Sequence, residues 1–111
     1  MDAHGYVQRL VEISQNKYAR LERVLQTYLE QKELLETEDG TLQLDACRNR
    51  RQQLMEEIDK LDEQFVVYGE RLKNTLGISS YEELSRFDLP GRATLKDSTE
   101  RIISLLQTLS D

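Results

Sequence analysis

YVQRLVEISQNKYARLERVLQTYLEQKELLE, Tyr6 to Glu36, decides the fold. It contains neither Pro nor Gly. Val7, Val11, Ser14, Tyr18, Leu21, Leu25, Tyr28, Lys32 and Leu35 recur at spacings of four and three, the heptad rhythm of a helix that packs along another helix. Gln8, Arg9, Glu12, Arg20, Glu22, Arg23, Glu30 and Glu33 fill the other faces, as a helix with one wet side requires. The stretch predicts a helix over about 5–36, roughly 45 to 50 Å long at 1.5 Å per residue.

Downstream, Thr37-Glu38-Asp39-Gly40-Thr41 interrupts the rhythm with turn formers, and Gly40 is free to take the positive φ that other residues resist. Leu44, Cys47, Arg51, Leu54, Ile58, Leu61, Phe65, Tyr68 and Leu72 then restore it. This predicts a second helix over 41–76, with Gly69 as its internal weak point at about 1 kcal/mol relative to Ala. If the chain reverses at the turn, seam positions whose numbers add to 79 lie opposite each other: Val7 by Leu72, Tyr18 by Leu61, Leu21 by Ile58, Leu25 by Leu54, and Tyr28 by Arg51, whose guanidinium is placed to stack on the ring.

Leu76-Gly77 ends the second helix. Ser80-Tyr81-Glu82-Glu83 matches a capping box and opens a short helix over 80–86, and Leu89-Pro90-Gly91 breaks the chain again. Leu95, Thr99, Ile102, Leu106 and Leu109 give a third helix over 92–109. The expected fold is therefore all-α: one domain, a long antiparallel helical hairpin with a shorter third helix in a coiled-coil-like three-helix bundle. The third helix covers the hairpin only from its open end to about Leu21 and Ile58. Apolar residues toward the turn are left to two helices alone, which predicts an exposed groove or dimer seam made by Leu25, Tyr28, Leu29, Leu35, Leu42, Arg51, Leu54 and Met55. Tyr28 is its expected anchor, because aromatic side chains dominate interface energetics.

Composition excludes several other classes. The chain has 111 residues, with 15 Lys and Arg against 21 Asp and Glu for a net charge of -6. That field repels phosphate backbones and anionic lipid surfaces. No apolar run approaches the roughly 20 residues a membrane span needs, and no secretory leader opens the chain, so the expected location is the cytoplasm. One Cys and one His allow neither a disulfide framework nor the usual zinc sites. His4 reads as a terminal or capping residue, Cys47 as a small hydrophobe in the seam. Glu56, Glu57, Asp59, Asp62 and Glu63 read as a solvated face, since the Glu-x-x-His pattern of a di-iron bundle is missing. No set of residues points to catalysis, a metal or a cofactor. Arg48, Arg50 and Arg51 form a basic knot, read either as a solvated stretch answered by Glu56, Glu57 and Asp59 or as a seat for an acidic partner.

Tyr6-Val7-x-x-Leu10-Val11, Lys32-Glu33-Leu34-Leu35, the short acidic turn, then Leu44, Arg50-Arg51, Leu54, Ile58, Leu61 and Leu76-Gly77 resemble the flagellar export chaperones of the FlgN and FliT type over residues 6 to 77. The resemblance implies a cytoplasmic helical chaperone of flagellum assembly. Such a chaperone holds a hook-filament junction or filament cap subunit unassembled and delivers it to the type III secretion apparatus. It also implies a helical, apolar client-binding surface, often toward the C-terminus; the residues themselves place it in the hairpin groove or on helix three. Two alternatives stay open beside it: a structural coiled-coil protein whose apolar strip closes on a second copy, and a module that uses the basic knot on an acidic partner.

Overall fold

The computed structural model describes residues 1–37 and 40–110. Three α-helices, α1 (Ala3–Leu34), α2 (Thr41–Leu76) and α3 (Arg92–Ser110), are joined by a hairpin turn and by a connector containing a 3-10 helix, Tyr81–Arg86. The fold is an all-α helical bundle. It measures 59 × 21 × 19 Å, with a radius of gyration of 17.6 Å, against about 13 Å for a compact chain of this length. An elongated rod has little interior, so long flanks stay at the surface.

Asp2, not His4, caps α1: its carboxylate accepts from the Gly5 N–H at 2.9 Å, while the exposed His4 ring lies beside the Gln8 amide. At its other end α1 stops two residues short of the expected limit. The N–H groups of Glu36 and Thr37 donate to carbonyls three residues back, and the Thr37 hydroxyl also donates to the Leu34 carbonyl. The last turn tightens, and the helix cannot propagate. Gly40 has φ -76°, so the expected left-handed turn residue is not used there. Glycine is required for space instead, because a Cβ would lie 2.4 Å from the Leu34 carbonyl oxygen. Glu38 and Asp39, which belong to the expected turn, lie outside the described residues.

The left-handed glycines are Gly77, φ 68°, and Gly91, φ 88°. Gly77 closes α2 in a Schellman motif, with its own N–H donating to Asn74 and that of Ile78 to Lys73. Gly91 starts α3 flush against α1, where a Cβ would press on Gln8 and Val7.

The hairpin pairs in the register set by the two heptad seams. Tyr28 stacks on Arg51, and Lys17 bonds Asp62 at 2.7 Å. Both pairs add to 79. Two apolar clusters hold the bundle. Val7, Leu10, Val11, Leu72, Leu84 and Leu95 form the one at the open end; Leu21, Val24, Ile58 and Ile102 form the other, with Leu105 and Leu109 packed against it. The backbone of α3 runs along α1 rather than α2. At 19 residues against 36, it spans about 28 Å beside the 54 Å of α2.

Beyond Val24 the interface between α1 and α2 changes character. The expected seam ran through Leu25, Tyr28, Lys32 and Leu35. The residues turned toward α2 are Val24, Thr27, Gln31 and Leu34, while Tyr28, Lys32 and Leu35 are exposed. The line has moved by one residue. Keeping the heptad would have desolvated the Lys32 ammonium, a costly step without a partner. The shift instead supplies acceptors for α2. The Cys47 thiol donates to the Thr27 carbonyl at 2.9 Å, and Arg51 donates to the Thr27 hydroxyl at 3.0 Å and to the Gln31 side-chain oxygen.

The short helix expected over 80–86 is present as a 3-10 helix, Tyr81–Arg86. Its capping box is complete: Ser80 accepts from the Glu82 N–H, and the Glu83 carboxylate accepts from the N–H groups of Ser79 and Ser80. Those backbone donors hold the Glu83 carboxyl below the ordinary glutamate range. A depressed folded pKa gives a contribution that is present above the unfolded value and is lost as pH falls through the folded one. Acidification below the ordinary glutamate range is therefore expected to loosen the cap at Ser79 and Ser80, while Leu84 and Tyr81 keep the connector packed. The Ser79 and Ser80 amide resonances should titrate with Glu83, and the Glu83→Gln variant should not show that titration.

Candidate functional site: the half of the hairpin beyond α3

Helical spacing places Leu25, Tyr28, Leu29 and Lys32 on one stripe of α1. Leu44, Arg48, Arg51 and Met55 form the facing stripe of α2. The Tyr28–Arg51 stack, 3.8 Å from the guanidinium carbon to the ring centroid, joins them. This surface continues the track of α3. Leu21 and Tyr18, one and two turns before Leu25 on the same stripe, already pack in the cluster with Ile102, Leu105 and Leu109.

The expected site residues are distributed unevenly. Tyr28 is 46% exposed, Leu29 55% and Met55 43%. Leu25, Arg51 and Leu54 are half-buried, and Leu54 contributes to the cluster of Leu21 and Ile58. Leu35 (65%) and Leu42 (83%) stand open near the hairpin turn. The apolar groups thus form a face beside the helix-helix seam rather than a groove within it, because the one-residue shift turned Thr27 and Gln31 inward.

Arg51 is the best-anchored polar group on this face. Its guanidinium bonds two neutral acceptors and covers a ring. Arg48 lies on the same stripe as Arg51, whereas Arg50 of the basic knot behaves differently. Arg50 crosses the hairpin to Glu30, and Glu57 is taken by Arg20 at 3.0 Å. The expected answer from Glu56, Glu57 and Asp59 is therefore replaced for Arg50 by a cross-hairpin pair. Arg50 lies on the opposite edge, where two open clefts of about 440 and 340 Å³ share Glu30 and Arg50; the first is lined also by Glu33, Leu34 and Ala46, the second by Arg23, Gln53 and Glu57. The hairpin beyond α3 therefore has one face that combines apolar and cationic groups and one edge where Arg20 and Arg50 are paired across the hairpin.

A further groove was not anticipated. Because α3 leans on α1, a cleft of about 500 Å³ opens between α2, the connector and α3, lined mostly by apolar groups including Phe65, Tyr81, Leu84 and Leu95. Tyr81 holds the connector there. A Cβ on Gly69 would lie 1.7 Å from its hydroxyl oxygen, so this glycine is a notch for the ring rather than a mere weak point. Lys73 lies over the same ring, and burial raises the Tyr81 hydroxyl above the ordinary tyrosine range. The available signal was Gly69 itself, the lone glycine in the otherwise unbroken helical stretch from Thr41 to Leu76.

Among the described residues no group of three or more His, Cys, Asp or Glu could hold a metal ion, and no helix is long and apolar enough to cross a membrane. Neither a family model, nor a curated protein, nor a solved structure matches this chain.

Proposed function

We propose that this protein is a non-catalytic helical adaptor or chaperone that holds an amphipathic helix of a protein client on the face beyond α3. The observation that carries the reading is the continuity of the α3 track. Leu109 ends the packed part, and Leu25, Tyr28, Leu29 and Met55 extend the same surface with no helix over it. A client helix laid end to end with α3 would complete the bundle in the geometry α3 already uses. In the terms of the flagellar resemblance, the client is a hook-associated or cap subunit awaiting export, and the chaperone acts in the cytoplasm.

Covering a half-exposed Tyr, Leu or Met is worth about 1 kcal/mol each. Apolar contact alone therefore gives weak binding once the cost of association is included. The test uses a designed amphipathic helix with leucines at i, i+3, i+4 and i+7 and glutamine flanks. Amide shifts of the labelled protein are expected at 25–32 and 44–55. Leu29→Glu with Met55→Glu should weaken binding by about 10-fold or more without lowering stability, since both side chains are exposed. Shifts confined to Phe65, Tyr81, Leu84 and Leu95 would move the function to the connector cleft and contradict this placement.

A further inference from the structure

Resting on that reading, we infer that the helix taken up on the face beyond α3 is acidic, with carboxylates flanking its apolar anchors. The chain as a whole carries a net charge of -6, yet this face combines Lys32, Arg48 and Arg51 with Tyr28 and Met55. Among the described residues none of these three cations takes part in an ion pair, whereas Arg20 and Arg50 of the opposite edge are matched to Glu57 and Glu30. The Arg51 guanidinium is held in place by the Thr27 hydroxyl, the Gln31 side-chain oxygen and the Tyr28 ring, all neutral. It is thus a fixed, half-buried positive charge whose side-chain ordering is already complete. Such a preorganised donor loses little freedom when a carboxylate arrives. Lys32 lies one turn beyond Tyr28, and Arg48 about one turn before Arg51, so the cations flank the aromatic anchor. At physiological salt the Debye length is about 8 Å. The chain's own carboxylates on these stripes, Glu36, Asp45 and Asp59, lie toward their ends, so carboxylates of a docked helix placed over Tyr28 and Arg51 feel the cations beside that anchor most strongly.

The experiment compares the leucine helix of the previous section in two further forms, glutamate-flanked and lysine-flanked, against the full chain and its Lys32→Glu/Arg48→Glu variant. The glutamate form is expected to bind the unaltered chain at least about 10-fold more tightly than the lysine form, and the order should invert on the variant. Raising salt from about 0.15 to about 0.5 M should weaken the glutamate complex several-fold. Equal affinities for all three helices, with shifts at the same residues, would overturn the inference and leave helix docking standing. Absence of binding by every form would overturn both. A dimer in sedimentation whose contact amides are these same residues would assign the face to a second copy and overturn the inference as well.

Discussion

Leu72→Ala should lower stability by about 3 kcal/mol, a fall of roughly 12 °C in melting temperature for a domain of this size. Leu72 is fully buried among Val7, Leu10, Val11, Leu84 and Leu95, where α1, α2, the connector and α3 converge. Four elements cannot all move to fill the space left by an isobutyl group, so the transfer loss is joined by a cavity penalty. Urea unfolding followed by circular dichroism measures the effect, with Leu29→Ala as the comparison. Leu29 is exposed and should cost no more than its small change in helix propensity. A loss below 1 kcal/mol at Leu72 would mean that the open end is not where the bundle's stability resides.

Arg51→Ala is expected to cost about 2 kcal/mol, and its effect should be local to the hairpin beyond α3. The guanidinium bonds Thr27 and Gln31 and stacks on Tyr28. Each hydrogen bond contributes about 0.5 to 1.5 kcal/mol and the cation-π contact about 0.5 to 1. Cys47 and Thr27 are also buried there, so the Thr27 hydroxyl would lose its donor inside the interface. Amide exchange should accelerate in Val24–Leu34 and in 44–54 while the Leu72 region keeps its protection. Arg51→Lys should not restore stability, because an ammonium cannot bond both acceptors in the plane of the stack.

The heptad of α2 was legible throughout, since every seam position from Leu44 to Leu72 is at least half-buried. The antiparallel register, the Tyr28–Arg51 stack and the capping box at Ser80 and Glu83 were equally readable, because each depends on spacing alone. The second half of the α1 seam was not. A period of three and four cannot report that a lysine on the seam will be rotated out in favour of Thr27 and Gln31, whose value lies in their distance to Arg51 on another helix. The packing roles of Gly40 and Gly69 were not legible for a related reason. Sequence suggests the conformational freedom of glycine, whereas these two are needed for the approach of the Leu34 carbonyl and of Tyr81. The cleft beside Phe65 depends on which long helix α3 leans on, and its amphipathic pattern serves either choice. For the candidate site, the heptad arithmetic named an uncovered strip as a groove or dimer seam; in the structure its exposed members form a face, and the different partners of Arg51 and Arg50 depend on distances across the hairpin that spacing does not carry.

Hydrogen exchange of the isolated chain, kept dilute enough to be monomeric, tests most directly whether α3 leaves half the hairpin uncovered. Amides of Val24–Leu34 and 44–54 should open at free energies well below those of Leu10–Leu21 and Ile58–Leu72, and should gain protection when an acidic amphipathic helix is added. Uniform protection along both long helices, unchanged by the added helix, would contradict the account.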